Sequence, residues 1–325
     1  MSLEKLFLSK ITVNVSRFSG YVYTAKISKT IVIKIDRRLR EFFKPIKGSK
    51  PKLIHITPFY FKTDSGRTVC LYSYIKCRSR NIVKCEGYPQ IVQLDGRYYF
   101  FFGFHTSIVK PEDFLNKAIQ YGNDCFEFMS QKLCVEIESI EIIDAYKLGV
   151  EVAEKILDDK GLKIVFSSPT ILRDPLRSVN KYKSFIPTPF NVFATPVYIM
   201  LINKGLYTKR RLLTELSKLH KLFNETYSVL GGVKIKFIQY GEKPEPVLIG
   251  YVNYRINEDY LKFLNDRLNI VEWLGEIFSY TIALGVGTGR ASGFGHVNLK
   301  PIKTTLDRRN QAISSENNSL QEINE

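Results

Sequence analysis

Apolar positions along this chain change period several times, between every second residue and every third or fourth. Residues 6–15 alternate in part and predict a strand. Over 25–43 the apolar positions Ile27, Ile31, Ile35, Leu39, Phe42 and Phe43 recur mostly three or four apart, predicting a helix. The β-branched run Ile31-Val32-Ile33 works against that helix. Residues 52–61 predict a strand, 66–93 one or two more strands or a long hairpin, and 98–104 an aromatic strand. Residues 111–121 predict a short helix opened by proline. Alternation at Val135, Ile137, Ile140 and Ile142 places strands over 126–143, and 145–157 is a helix leading out of the first half.

The second half repeats the order. A strand over 162–166 runs into a proline-containing loop with Pro175, Pro187 and Pro189. A helix over 209–227 carries Leu212, Leu213, Leu216, Leu219 and Phe223 on one face. Residues 233–238 alternate strictly, and 247–256 is the partner strand across a turn. Residues 257–284 are mainly helical, with Trp273, Ile277, Tyr280 and Leu284 on a core-facing stripe. Each half therefore reads approximately as β-α-β-β-α-β, an α+β fold of tandem ferredoxin-like domains. The expected domains are 1–160 and 161–303, followed by a polar tail, 304–325, expected to be disordered.

Charge narrows the partners. The 325 residues carry a formal net charge of +16, and the tail, with two arginines and four acids, is itself acidic. The body therefore attracts polyanions such as nucleic acid. The first nine residues lack the apolar stretch of a signal peptide, and no apolar run approaches the ~18–20 residues that cross a bilayer. The five cysteines (70, 77, 85, 125 and 134) form no Cys-x-x-Cys pair, and the four histidines (55, 105, 220 and 296) are scattered. A cytoplasmic, mostly reduced protein without metal or cofactor is expected, with no membrane partner.

Residues 285–295 hold five glycines in eleven positions: Gly285-Val286-Gly287, five residues, then Gly293-Phe294-Gly295. A P-loop would need Lys-Ser or Lys-Thr after its last glycine, and Phe294 stands there. A dinucleotide fingerprint starting at Gly285 would need glycine at 290, which is arginine. A glycine-rich turn with Arg290 in its middle is suited to holding phosphate through backbone N–H groups.

This loop, with a helix before it, a strand after it and two ferredoxin-like halves, resembles the CRISPR-associated endoribonucleases that cut precursor crRNA within its repeats, the "Cas-six" family of the RAMP superfamily. Phe166-Ser167-Ser168-Pro169-Thr170, Glu138-Ser139-Ile140-Glu141-Ile142 and Gly250-Tyr251 agree with archaeal members. The resemblance spans roughly 1–303. It implies a metal-independent reaction in which the RNA 2′-OH attacks the adjacent phosphorus, leaving a 2′,3′-cyclic phosphate and a 5′-OH.

Many relatives carry a histidine on the first helix, and this chain has none before residue 55. Some archaeal members use lysines instead, and this sequence matches them at Lys26-Ile27-Ser28-Lys29 and at Lys52, before Leu53-Ile54-His55-Ile56. The resemblance thus implies Lys29 and Lys52 for charge stabilisation and proton donation, with Lys26 assisting. It implies RNA binding by Gly285, Gly287, Gly289, Arg290, Ser292, Gly293 and Gly295. His55 is either a satisfied strand histidine or a second acid–base group. Tyr21 and Tyr23 are candidate RNA contacts; Lys209-Arg210-Arg211, Arg173, Arg177, Lys181 and Lys183 are candidate phosphate contacts. The resemblance implies CRISPR repeat RNA as the partner, with interference-complex subunits and a second copy of the chain as further candidates. A non-catalytic subunit that only holds crRNA is the alternative function; the lysine constellation favours cutting.

Overall fold

The computed structural model describes residues 5–44, 51–76, 87–176, 183–226, 228–241 and 244–303. The first half contains β1 (Leu6–Gly20), α1 (Ala25–Ile35), a 3-10 turn (Arg37–Leu39), α2 (Arg40–Phe43), β2 (Ile54–Ile56), β3 (Tyr60–Lys62), β4 (Thr68–Cys70), β5 (Tyr74–Ile75), β6 (Val92–His105), α3 (Pro111–Tyr121), β7 (Asn123–Phe128) and β8 (Gln131–Ile142). The second contains α4 (Ala145–Asp159), β9 (Gly161–Thr170), β10 (Leu172–Arg173), β11 (Lys183–Ser184), α5 (Pro189–Asn203), α6 (Lys209–Leu222), β12 (Phe223–Glu225) and α7 (Ser228–Gly231). It ends with β13 (Val233–Gln239), β14 (Pro244–Ile256), α8 (Glu258–Asn265), α9 (Ile270–Leu284), a 3-10 turn (Arg290–Ser292) and β15 (Val297–Pro301).

Two antiparallel sheets result. One runs β4-β3-β6-β1-β8-β7, with β2 also on β6; the other runs β15-β9-β14-β13-β5, with β12 on β14. The central pair is β1 with β6 in one and β9 with β14 in the other, each flanked as in a ferredoxin-like fold. The α+β tandem arrangement read from the sequence is thus the observed one. Helices α1 and α3 share a core with one face of the first sheet and α4, α5 and α9 with the second, while Leu8 and Phe101 on the first sheet's other face also pack into the second core. Among the described residues no helix is long and apolar enough to cross a membrane.

Several boundaries differ from the sequence reading, each for a local reason. The helix expected over 25–43 breaks at Asp36, whose extended backbone and carboxylate cap the next turn by accepting from Arg38 N–H. The strand expected over 52–61 is split into β2 and β3 around Thr57-Pro58, since proline offers no ladder donor. The stretch 66–93 is no simple hairpin: β5 leaves the first sheet and pairs with β13 of the second, Phe237 opposite Ile75 and Ile238 opposite Tyr74. The proline-containing loop hides α5, where Thr188 accepts from Asn191 N–H as the cap, Pro189 opens the helix and Pro196 lies inside it.

By packing, α4 belongs to the second half, although the expected boundary at 160 put it with the first. Ala145, Val152, Ala153 and Ile156 share a core with Leu274, Ile277 and Phe278 of α9. Cys125 and Cys134 form a disulfide across β7–β8, which corrects the mostly reduced state expected; Cys70 is free, and Cys77 and Cys85 lie outside the described residues. The tail from 304 also lies outside them. A third, small core joins the halves: Tyr23 and Ala25 from the start of α1 pack with Ile171, Ile238, Val247 and Phe294. This seam brings the glycine loop against the first helix.

Candidate active site

The spacing of α1 decides which lysines face outward. Ile27, Ser28, Ile31, Val32 and Ile35 are buried on one side. Lys26, Lys29, Thr30 and Ile33, at helical spacing, form one wall of a cleft of about 290 Å³. Its other walls are Phe128 from β7, Tyr240 after β13, and Ser292 in the glycine loop. Two of the expected catalytic lysines and one expected RNA-binding residue therefore share a cavity built from both halves.

Lys52 stands beside that cavity. Its Nζ donates to the Phe43 carbonyl at 2.8 Å, while Lys29 Nζ lies 5.2 Å from the centre of the Phe43 ring. Lys26, which is exposed, places its Nζ 5.3 Å from the Tyr240 ring centre. Partial burial lowers the Lys29 pKa below the ordinary lysine value. Burial, and then the neighbouring Lys29 charge, bring Lys52 down to about 8. Lys52 thus sits where a lysine can exchange its proton near neutral pH.

The glycine loop differs in its working from the phosphate cradle expected. Gly285, Gly287, Gly289, Gly293 and Gly295 all have positive φ, so the sequence pattern is a backbone requirement. However, most of the loop's N–H groups are spent inside the protein. Val286 donates to Gly295, Thr288 to Ile171, Ser292 and Phe294 to Gly289, Gly293 to Arg290, and Gly295 to Pro169. Gly285, Gly287, Gly293 and Gly295 are buried, whereas Thr288, Gly289 and Ser292 reach the surface in part. A Cβ on Gly293 would lie 2.1 Å from Ala25 Cβ, so the loop is seated directly on the start of α1.

Arg290 does not face solvent. Its side chain is buried, with Nη1 donating to the Leu284 carbonyl at 2.8 Å and Nη2 to the Lys52 carbonyl at 2.5 Å. Tyr23 is also buried, its hydroxyl donating to the Gly293 carbonyl at 2.7 Å, whereas Tyr21 is exposed. His55 is buried with its Nε2 3.3 Å from His296 Nδ1, and its own Nδ1 has no hydrogen-bond partner among the described residues. Burial, then the charges of His296 and Arg290, hold His55 below the usual histidine range, and burial brings His296 to about 4. Both rings are neutral structural groups at physiological pH. Lys183 is engaged with Glu245, and Arg177 and Lys181 lie outside the described residues.

Sequence reasoning missed Phe128, Tyr240 and the Phe43 carbonyl as parts of the site. They come from three separate segments, and no local pattern marks them. Thr30 and Ile33 were available from helical spacing, one turn on from Lys26 and Lys29.

No family model matches the sequence. The CRISPR-associated endoribonuclease Cas6 1 of Saccharolobus solfataricus is 24% identical over 257 residues, which cover 71% of this chain and 79% of the relative. The structure of a Thermus thermophilus Cas6 product complex superposes with a TM-score of 0.54 over 90% of this chain and 99% of the other, at 10% identity. A partial Cas6-RT-Cas1–Cas2 complex superposes with a TM-score of 0.51 over 91% of this chain and 46% of the other, at 10% identity. The structural likenesses establish the fold. With the tandem ferredoxin-like domains and the glycine loop seated on the first helix, the chain is similar in sequence to a Cas6 endoribonuclease and shares its fold with solved Cas6 structures.

Proposed function

We propose that this protein is an endoribonuclease that cuts precursor crRNA within its CRISPR repeats, without a metal, at the Lys29–Lys52 site. The observation that carries the reading is the convergence of both side chains on Phe43 beside a cleft lined by Lys26, Lys29 and Ser292. The similarity to the Saccharolobus endoribonuclease supports the same reading.

In this mechanism the RNA supplies its own nucleophile. The 2′-oxygen attacks the adjacent phosphorus and loses its proton to solvent. The bond from phosphorus to the 5′-oxygen breaks, and a 2′,3′-cyclic phosphate forms. Lys29 neutralises charge that builds on the non-bridging oxygens. Lys52 leaves the Phe43 carbonyl for the scissile phosphate and protonates the departing 5′-oxygen, giving a 5′-OH. Lys26 holds a neighbouring phosphate. No strong base is positioned for the 2′-OH, so turnover is slow. Binding relies on the cleft and on the partly exposed edge of the glycine loop, Thr288, Gly289 and Ser292, rather than on the buried glycines.

The test is incubation with synthetic repeat RNA in excess EDTA, beside a copy carrying one 2′-deoxy nucleotide at the cut. Cleavage that survives EDTA and disappears with the 2′-deoxy substrate is expected. Salt-sensitive binding of the genome's own repeats with no cleavage would make the protein a crRNA-holding subunit and would overturn the proposal.

A further inference from the structure

Arg290 was the one charged residue of the glycine loop, and its surroundings do not resemble those of an RNA contact. The guanidinium is buried to 3% of its accessible surface. It makes no ion pair among the described residues; its two charge-assisted hydrogen bonds go to backbone carbonyls. One carbonyl belongs to Leu284, the last residue of α9 in the second half. The other belongs to Lys52, two residues before β2 in the first half. A buried cation is costly unless its position is needed. A planar fork that bonds two carbonyls at once is something only arginine among the side chains provides.

We infer that Arg290 is a positioning residue: it clamps the main chain at Lys52 to the end of α9, and so fixes where the Lys52 ammonium sits, without touching RNA. This inference rests on the reading of Lys52 as the proton donor. The local geometry supports it from both sides of Lys52. The backbone oxygen is held by Arg290, and the side-chain nitrogen is held by the Phe43 carbonyl. Between these two anchors the side chain stays half-buried against Lys29, which is the origin of its lowered pKa. If the carbonyl is released, the segment before β2 can move outward and the ammonium regains water.

The clamp makes two demands on substitutions. Lysine keeps the charge but lacks the planar fork whose two separate nitrogens reach the two carbonyls; glutamine keeps one donor group and no charge. Both Arg290→Lys and Arg290→Gln are expected to lower single-turnover cleavage at saturating protein by at least about tenfold, with the Kd for a non-cleavable 2′-deoxy repeat changed by less than about twofold. The break in the pH–rate profile assigned to Lys52 should move upward in both. An independent measurement reads Lys52 directly: its rate of acylation by an amine-selective reagent against pH, followed by peptide mass spectrometry. That profile should give an apparent pKa near 8 in the native protein and a higher one in the variants. It tests the clamp even if the native protein cuts no RNA, so failure of the clamp and failure of the nuclease reading are told apart. A third measurement needs no variant. A dicarbonyl reagent selective for arginine should leave Arg290 unmodified in the native protein, with or without bound RNA. Arg290 modified in the free protein and protected by RNA would overturn the inference, and so would variants whose defect lies in Kd with an unchanged Lys52 profile.

Discussion

Lys52 offers the sharpest test of the chemistry. Burial first, and the Lys29 charge second, bring its pKa from 10.5 to about 8. About nine Lys52 side chains in ten are then charged at pH 7, and about one in ten at pH 9. The pH dependence of kcat/KM reports this ionisation in the free protein. Removal of the 2′-OH proton by solvent hydroxide gains about tenfold per pH unit, while the protonated acid is lost above pH 8. Together they give log(kcat/KM) that rises with a slope of about one and levels off above about pH 8. Lys52→Ala should abolish the break and cost about 10²–10⁴-fold, the range for a positioned acid. A neutral lysine acting as base would give the same profile, so a second substrate is needed. Replacing the 5′-oxygen at the cut with sulfur creates a leaving group that departs without a proton. On that substrate Lys52→Ala should recover most of the lost rate. A slope that continues unbroken to pH 9.5, or equal defects on the oxygen and sulfur substrates, would refute the assignment.

Three further outcomes are expected. Lys29→Ala should lower single-turnover cleavage by at least about 100-fold, and Lys26→Ala by less than about tenfold, because Lys26 is exposed and set back against Tyr240; a reversal of that order would exclude the roles given them. Gly293→Ala places a side chain on a residue with φ of +100° and a Cβ 2.8 Å from Tyr23 Cε1 as well as in contact with Ala25. Strain of ~1–2 kcal/mol and overpacking of ~1–3 kcal/mol should lower Tm by roughly 3–7 °C, and Ala25→Gly in the same chain should return part of it; an unchanged Tm would contradict the seam described. Asp36 is buried, which raises its pKa, but hydrogen bonds from Arg38 and Lys117 outweigh burial and bring it down to about 2. Its folded pKa lies below the unfolded one, so its contribution is present above about pH 4 and is lost as pH falls through 2. It is worth at most about 2.5 kcal/mol, and nearer 1 because the cations stand partly in water; denaturant titrations should show the gap between the native protein and Asp36→Asn closing from pH 6 to pH 2.

The elements that position the site were legible where burial alone dictates the pattern. Pro111–Tyr121 is a helix with the expected limits, and β13 and β14 pair as the alternation of 233–238 and 247–256 implied. Helical spacing also put Lys26 and Lys29 on one face. What could not be read was whatever depends on a contact between distant segments. The two residues of β5 cross to the second sheet because Phe237 and Ile238 pair there, and nothing local in Tyr74-Ile75 says so. The glycine pattern was read as a phosphate cradle because glycines expose backbone N–H groups. In the folded chain those groups are consumed by Ile171, Pro169 and the loop itself, so the glycines serve close packing against Ala25 and Tyr23. Arg290 was assigned to RNA for its charge. A sequence does not reveal that, among the described residues, this guanidinium bonds two main-chain carbonyls inside the protein.

The way the three lysines are held bears on why this place, rather than another part of a strongly basic surface, is the one proposed to bind the scissile phosphodiester. Some lysines elsewhere also rest on rings, such as Lys163 on Tyr251 and Lys236 on Tyr74, but others are spent on carboxylates: Lys10 on Glu141, Lys34 on Asp124, Lys204 on Glu276. Their charge is already compensated, and an incoming anion must compete with a tethered one. At the cleft the arrangement is different. Lys26 rests near a tyrosine ring, Lys29 near a phenylalanine ring, and Lys52 on a main-chain carbonyl. The described residues lining the cleft include no carboxylate. Rings and carbonyls orient an ammonium without neutralising it, so the positive charge remains available, and partial burial reduces the water that would otherwise screen it. Binding a phosphate then relieves the repulsion between Lys29 and Lys52 that lowers the Lys52 pKa. As charge builds on the phosphorane oxygens, that relief grows. On the proposed mechanism the site is then most complementary to the transition state, and a carboxylate placed within it should remove that advantage even if every lysine stayed where it is.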